Sequence, residues 1–212
     1  MEKKIELSKE DERELIKLIK LSARKKSYKG TSSILYKKEK DFFVHSLYFV
    51  SKIEKMLMII AFNFIKTYKS DNLFWHLLMM ESNISQKDSL RANGAFTMPS
   101  FQINECSVEI LDIQEASQEI VKNISKTHDD FIEKVRTVGG FNKYLLEQEK
   151  FANEKLIKIL AYIELEDYSK ANEMVVKEIE KGNRGGYINY DKDIYQYIQE
   201  YCKSLLEQGW NC

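Results

Sequence analysis

The stretch Met56–Tyr68, MLMIIAFNFIKTY, constrains this chain most. Side chains on a strand alternate with period two. Met56, Met58, Ile60, Phe62 and Phe64 therefore share one face, and Leu57, Ile59, Ala61, Asn63 and Ile65 share the other. A strand apolar on both faces is central in its sheet and covered, at least in part, on both sides. The Met56 set is expected to be buried together. Two strands precede it, Ser33–Lys38 and Asp41–Lys52, the second rich in β-branched and aromatic residues. Short charged turns, Lys37–Asp41 and Glu54–Lys55, make the three an antiparallel meander.

The rest of the chain reads outward from that meander. Residues 8–22 form a first helix: Ser8 and Asp11 sit at capping-box spacing, Leu15, Ile16, Leu18 and Ile19 make the apolar stripe, and Gly30 marks the exit. Ser70 or Asp71 caps a short helix whose apolar face is Leu73, Phe74, Leu77 and Leu78, with Trp75 to one side. Residues 81–92 are polar. Arg91-Ala92-Asn93-Gly94 reads as a tight turn into a fourth strand, Ala95–Ile103, which Pro99 confines to an edge or a bulge. Val108–Thr137 then shows one long helical period, closed by Gly139-Gly140. Further helices run over Phe141–Leu165 and Tyr168–Glu180, with Gly182 as the C′ residue, and a last one begins at Asp191. The fold class is α+β: an antiparallel sheet of about four strands packed on helices, with a C-terminal helical bundle. The expected division is 1–106, helix plus β-meander, and 107–212, all helical, the two forming one compact unit.

Ala161, Tyr162 and Leu165–Ala171 have the residue types of a tetratricopeptide-like hairpin, where small Ala residues let two helices approach. One copy cannot form a solenoid, because such repeats bury their outer faces against neighbours.

Charge balances over the 212 residues, with 33 Lys and Arg against 33 Asp and Glu, so no bulk field selects a polyanion or a membrane. The distribution is uneven. Residues 1–40 carry 13 basic against 7 acidic residues, and residues 111–212 carry 14 against 19. Arg24, Lys25, Lys26, Lys29, Lys37 and Lys38 make the 24–40 segment a candidate nucleic-acid surface, with Tyr36, Phe43 and Tyr48 interleaved. Glu164, Glu166, Asp167 and Glu173 make the hairpin a candidate surface for a protein partner. Trp75 and Arg91 are further partner-binding candidates. Arg91 is also placed to pair with Asp112 or Glu115 on the helical tail.

Catalytic signatures are missing. His45, His76 and His128 show no metal-ligand spacing and no cysteine beside them, so neither metal nor cofactor is expected. His128-Asp129-Asp130 reads as a solvated helix face, and His76 with Glu81 makes an acid–base pair only if the fold joins them. No nucleophile elbow or Walker loop occurs. Gly182–Gly186 follows a helix, whereas phosphate loops precede one. An enzyme site assembled from distant residues stays open as an alternative. Cys106, Cys202 and Cys212 are odd in number and form no C-x-x-C, which fits a reducing cytoplasm. Met1 leads into no apolar run and no stretch of 18 apolar residues exists, so neither signal peptide nor membrane span is expected.

Leu73-Phe74-Trp75, followed by Leu90-Arg91-Ala92-Asn93-Gly94-Ala95-Phe96, resembles an uncharacterised bacterial domain family. Its members have an N-terminal helix, a β-meander, a short Trp-bearing helix, an Arg-x-Asn-Gly-Ala-Phe strand and a helical tail with a Leu-x-Asp-Tyr-x-x-Ala hairpin, matched here by Leu165–Ala171. The resemblance spans most of the chain and carries over no activity. The family looks like the small proteins found beside polymorphic-toxin genes. That implies an immunity protein, a non-catalytic module neutralising a toxin by surface occlusion.

Overall fold

The structure, a computed structural model, describes residues 7–94, 96–148 and 155–209. Ala95, Cys212 and the middle of the helix expected over Phe141–Leu165 lie outside the described residues. The chain forms two compact units, residues 1–66 with 101–134, and residues 67–100 with 135–212. The boundary expected at 106 falls inside a strand, and the second unit is built from two separate stretches of chain.

In the first unit, helix α1 (Lys9–Arg24) opens on the expected capping box: the Asp11 amide donates to Ser8 Oγ at 3.1 Å, and the Ser8 amide donates to Asp11 Oδ2 at 3.2 Å. Leu15, Ile19 and Ala23 are its buried residues. The helix stops earlier than Gly30. Ser27, at φ 66°, turns the chain, and the Tyr28 amide closes back on the Ala23 carbonyl.

Five strands follow, β1 (Lys29–Gly30), β2 (Ile34–Glu39), β3 (Phe42–Ile53), β4 (Met56–Thr67) and β5 (Phe101–Glu109), in sheet order β1-β2-β3-β4-β5. The sheet is antiparallel and the architecture is α+β. The last strand is a correction. It begins after Pro99 and runs to Glu109, so the residues from Val108 that were expected to open the long helix belong to the sheet. Helix α4 covers Ile113–Thr137.

The burial of β4 is a second correction. Leu57, Ile59, Ala61, Asn63 and Ile65 are the buried set, whereas Met56 is 40% exposed and Met58, Ile60, Phe62 and Phe64 are half-buried. The reason lies in where the helices pack. Lys37, on the Leu35 side of β2, reaches Asp129 of α4, while Tyr48 of β3 lines a hollow with Leu15 and Ile19 of α1. Ser46 Oγ donates to Asn63 Oδ1 at 2.7 Å, which puts Asn63 on that same covered face, and Asn63 Nδ2 donates onward to Asn104 Oδ1 at 3.2 Å. A polar ladder thus crosses β3, β4 and β5, from the buried Ser46 and Asn63 out to the exposed Asn104.

In the second unit, helix α2 (Tyr68–Leu77) is capped by Thr67, whose Oγ1 accepts from the Ser70 amide at 2.9 Å, rather than by Ser70 or Asp71. A 3-10 turn (Glu81–Ser85) and the short helix α3 (Ser89–Asn93) follow. The expected Asn-Gly turn is therefore the end of a helix, and Gly94 has an ordinary negative φ of −70°. The tail comprises α5 (Phe141–Glu147), α6 (Lys155–Glu164), α7 (Tyr168–Glu180) and α8 (Ile194–Glu207). Between α7 and α8 lies a two-stranded hairpin, β6 (Ile188–Asn189) with β7 (Lys192–Asp193), so the helix expected from Asp191 begins at Ile194 instead. Helices α6 and α7 form the expected hairpin. Ala161 and Ala171 are buried at their contact, Glu166 turns at φ 63°, and Asp167 Oδ1 accepts from the Lys170 amide at 3.0 Å to cap α7. Among the described residues no helix is long and apolar enough to cross a membrane.

Candidate functional site

Two of the expected partner-binding residues lie inside the second unit. Trp75 is fully buried and Arg91 is 4% exposed. Arg91 Nη1 donates to Asp71 Oδ2 at 2.8 Å and Nη2 to Asn72 Oδ1 at 3.0 Å. Its guanidinium lies 4.4 Å from the Tyr68 ring centroid and 4.6 Å from that of Trp75. Trp75 Nε1 donates to the Phe96 carbonyl at 2.6 Å. The Arg91 partner is thus Asp71, not Asp112 or Glu115. Of the residues that carry the family resemblance, Phe74, Trp75 and Arg91 are buried in the second unit rather than presented as a contact surface.

The acidic hairpin is largely neutralised where it stands. Glu164 is half-buried, accepting from Ser70 Oγ and from Asn142 Nδ2. Glu173 is exposed between Lys170 at 2.8 Å and Lys177 at 2.5 Å, and these hydrogen bonds hold its carboxyl down at about 2. Glu178 is buried in the grip of Lys155, Asn183 and Lys181, with its carboxyl again held at about 2. Asp167 is committed to its cap. Glu166 is exposed and makes no salt bridge among the described residues.

The basic segment is mostly on the surface. Arg24, Lys25, Lys26, Lys29 and Lys38 are exposed. Lys37 is not: it is 10% exposed, 3.1 Å from Glu39 and 3.5 Å from Asp129, and its ammonium stands over the Tyr28 ring. Arg24 joins Arg13, Lys17 and Lys20 along one face of α1, where they line a shallow groove with Ile16 and Leu21.

The sequence reading missed a third surface. The Met56 face of β4 continues on β3, where Phe49 packs on Phe62 with ring centroids 5.9 Å apart. Leu47 is 39% exposed, Phe49 41% and Ile53 43%. By register, Glu105 stands opposite Phe62, Ser107 opposite Ile60 and Glu109 opposite Met58. An apolar strip of two strands is thus bordered by an acidic edge strand. The alternation Glu105, Ser107, Glu109 was the signal, since polar residues at every second position of a strand mark its solvent side. Val108 and Glu109 equally suit the opening of a helix, which masks the alternation in the sequence.

Two histidines are buried in the first unit. His128 Nδ1 is 2.7 Å from the Tyr28 hydroxyl, so His128 is no solvated helix position. His45 stacks on Phe64 at 5.0 Å between centroids. Burial pushes both imidazoles down to about 3, assisted at His45 by the Lys66 ammonium and at His128 by His45 and Lys37. Both are neutral spacers at ordinary pH. His76 and Glu81 do meet, at 3.0 Å, but each is more than half exposed. Among the described residues no group of three or more His, Cys, Asp or Glu stands close enough to hold a metal ion. Burial pushes the Cys202 thiol up to about 12 and raises that of Cys106, which disfavours thiolate chemistry at either.

No family model, curated protein or solved structure matches the chain. Its surfaces have to be read from their own chemistry. Of the three, the sheet face combines exposed aromatic and aliphatic side chains with unneutralised charge. The α1 groove offers aliphatic side chains and basic charge but no aromatic side chain, and on the hairpin Glu173 is paired and Asp167 committed to its cap.

Proposed function

We propose that this protein is a non-catalytic binding module that neutralises a protein partner, of the toxin class, by covering it. The observation that supports this reading is the outer face of the sheet. Contiguous exposed apolar surface on a folded protein marks an interaction site. Phe49, Phe62 and the methionines supply the anchor types enriched at interface cores. Glu105 and Glu109 make no salt bridge among the described residues and give the rim a negative field, suited to a basic partner such as a nuclease cleft. The resemblance to immunity-type proteins contributes the toxin, and the unpaired thiols fit a cytoplasmic site of action.

The test is co-expression with the product of the gene beside its own. The expected result is relief of growth arrest and a stable complex that Phe49→Asp abolishes while leaving the fold intact. Neither relief nor complex formation would overturn the reading.

A second reading, nucleic-acid binding, is favoured by the alignment of Arg13, Lys17, Lys20 and Arg24 along α1. It requires affinity for duplex or single-stranded nucleic acid that falls steeply with salt and is lost on reversing Lys20 and Arg24.

A further inference from the structure

Strand β3 is twice as long as its neighbour β2, 12 residues against 6. The ladder between them ends where Ile34 meets Leu47, with one further bond from the Tyr48 amide to the Ser33 carbonyl at 2.9 Å. Beyond Tyr48 no strand pairs with β3 on that side among the described residues. Backbone groups along a strand point alternately to its two edges. Since the Tyr48 amide points towards β2, the N–H and C=O of Val50 and Lys52 point to the edge that β2 has left.

That edge is not bare. Helix α1 runs beside it, and Glu12, Leu15, Ile16 and Ile19 of α1 line a mostly apolar hollow with Tyr48, Phe49 and Val50 of β3. Ser32 and Ser33, where the path of β2 ends, close one side of it. The arrangement sets a ladder edge, with Phe49 and Val50, on one side, the half-buried Ile16 of α1 on the other, and the Glu12 carboxylate at the lip. Glu12 is exposed and makes no salt bridge among the described residues.

We propose that α1 and the open edge of β3 form a strand-addition groove for an extended segment of a partner protein, apolar at alternate positions and basic where it passes Glu12. This rests on reading the protein as a protein-binding module and names how it grips. Main-chain bonds to Val50 and Lys52 extend the line of β2, and side chains of one parity drop onto Ile16 and Phe49, which keep accessible surface in the hollow. Strand addition works in this way wherever a sheet edge is left beside a groove. A second copy of this chain is a poor occupant. Edge-to-edge pairing of two β3 strands sets Lys52 near Lys52, and like charges across a ladder repel.

The edge is tested first in the protein alone, by amide hydrogen exchange on the full chain. Val50 and Lys52 should exchange rapidly, while Phe49 and Ser51, turned towards β4, are protected. Slow exchange at Val50 and Lys52 in monomeric protein would show that the edge is already filled. The occupant is tested by selecting from a phage-displayed library of random dodecapeptides on the full chain. Selected peptides, synthesised with a fluorescent label, should alternate apolar residues, slow exchange at Val50 and Lys52, and lose about tenfold in affinity on Val50→Pro. Proline at an open edge position keeps the fold but removes the donor. Lys203→Ala, at an exposed position of α8, should leave peptide affinity unchanged. Should Val50→Pro fail to fold, the exchange protection in wild-type protein carries the test. No enriched peptide, or peptides that protect neither amide, overturns the groove. A partner lost by Phe62→Ser but kept by Val50→Pro overturns it while leaving the protein-binding reading standing. Protection of Val50 and Lys52 that rises with protein concentration alone assigns the edge to a second copy and also overturns it.

Discussion

Arg91 Nη1 meets Asp71 Oδ2 at 2.8 Å with Arg91 4% exposed and Asp71 not at all. The pair is buried in the second unit, with the guanidinium stacked on Tyr68 and Trp75. Removing one member leaves the other charge without compensation, which costs about 3–5 kcal/mol. Asp71→Ala should lower the urea midpoint accordingly. Arg91→Lys should also destabilise, because an ammonium cannot serve Asp71 and Asn72 in one plane while covering two rings. An unshifted midpoint in either variant would contradict this account of the pair.

The two faces of β4 separate by substitution. Ile59 is fully buried, so Ile59→Ala should cost about 2–5 kcal/mol. Phe62 is half-buried beside Phe49, and Phe62→Ala should cost clearly less, despite removing more atoms. Chemical denaturation of the two variants checks the order. The reverse order would place the helices on the wrong side of the sheet.

Stability should fall with acid. Burial holds the imidazoles of His45 and His128 down at about 3 in the folded protein, well below the ordinary 6.5. Below 6.5 the unfolded chain takes up protons that the folded chain refuses. The contribution is therefore complete above pH 6.5 and is lost progressively as pH falls towards 3, on the order of a few kcal/mol across the window. His128→Gln removes one titrating site and should flatten the acid limb of a stability–pH curve. An unchanged limb would show that other groups control it.

Gly185 is held at φ 71°, and a Cβ there would clash with Ile194 Cγ2 and lie 3.2 Å from Tyr195 Cζ. Gly185→Ala should destabilise the second unit by about 1–3 kcal/mol. Gly186, with open space around it, should tolerate Ala better, losing only the backbone preference. Thermal unfolding of the two variants tests the contrast.

Local signals were legible. The Ser8–Asp11 box, the meander, the α6–α7 hairpin and the α+β class all follow from periods and turn residues within a few positions. Errors arose where two elements compete for the same letters. Residues Cys106–Glu109 fit the end of a strand and the start of a helix equally well, and only pairing with Met58–Ala61 decides. The choice of buried face on β4 was undetermined because both faces are apolar; the position of α1 and α4 settles it. Arg91, Trp75 and His128 read as surface or ambiguous residues because their partners, Asp71, the Phe96 carbonyl and Tyr28, lie 20, 21 and 100 residues away.

The ladder of Ser46, Asn63 and Asn104 bears on alignment rather than strength. Strands β3 and β4 are each 12 residues of mostly apolar sequence, and hydrophobicity alone is nearly indifferent to sliding one past the other by two positions. A slip of that kind would strand the Asn63 amide against hydrocarbon, away from Ser46 Oγ and Asn104 Oδ1. The three side chains act as a key cut for one alignment, at some cost in stability. Asn63→Leu should therefore raise or barely change the denaturation midpoint. It should also broaden the amide NMR lines of β3 and β4, as the hairpin begins to sample neighbouring registers.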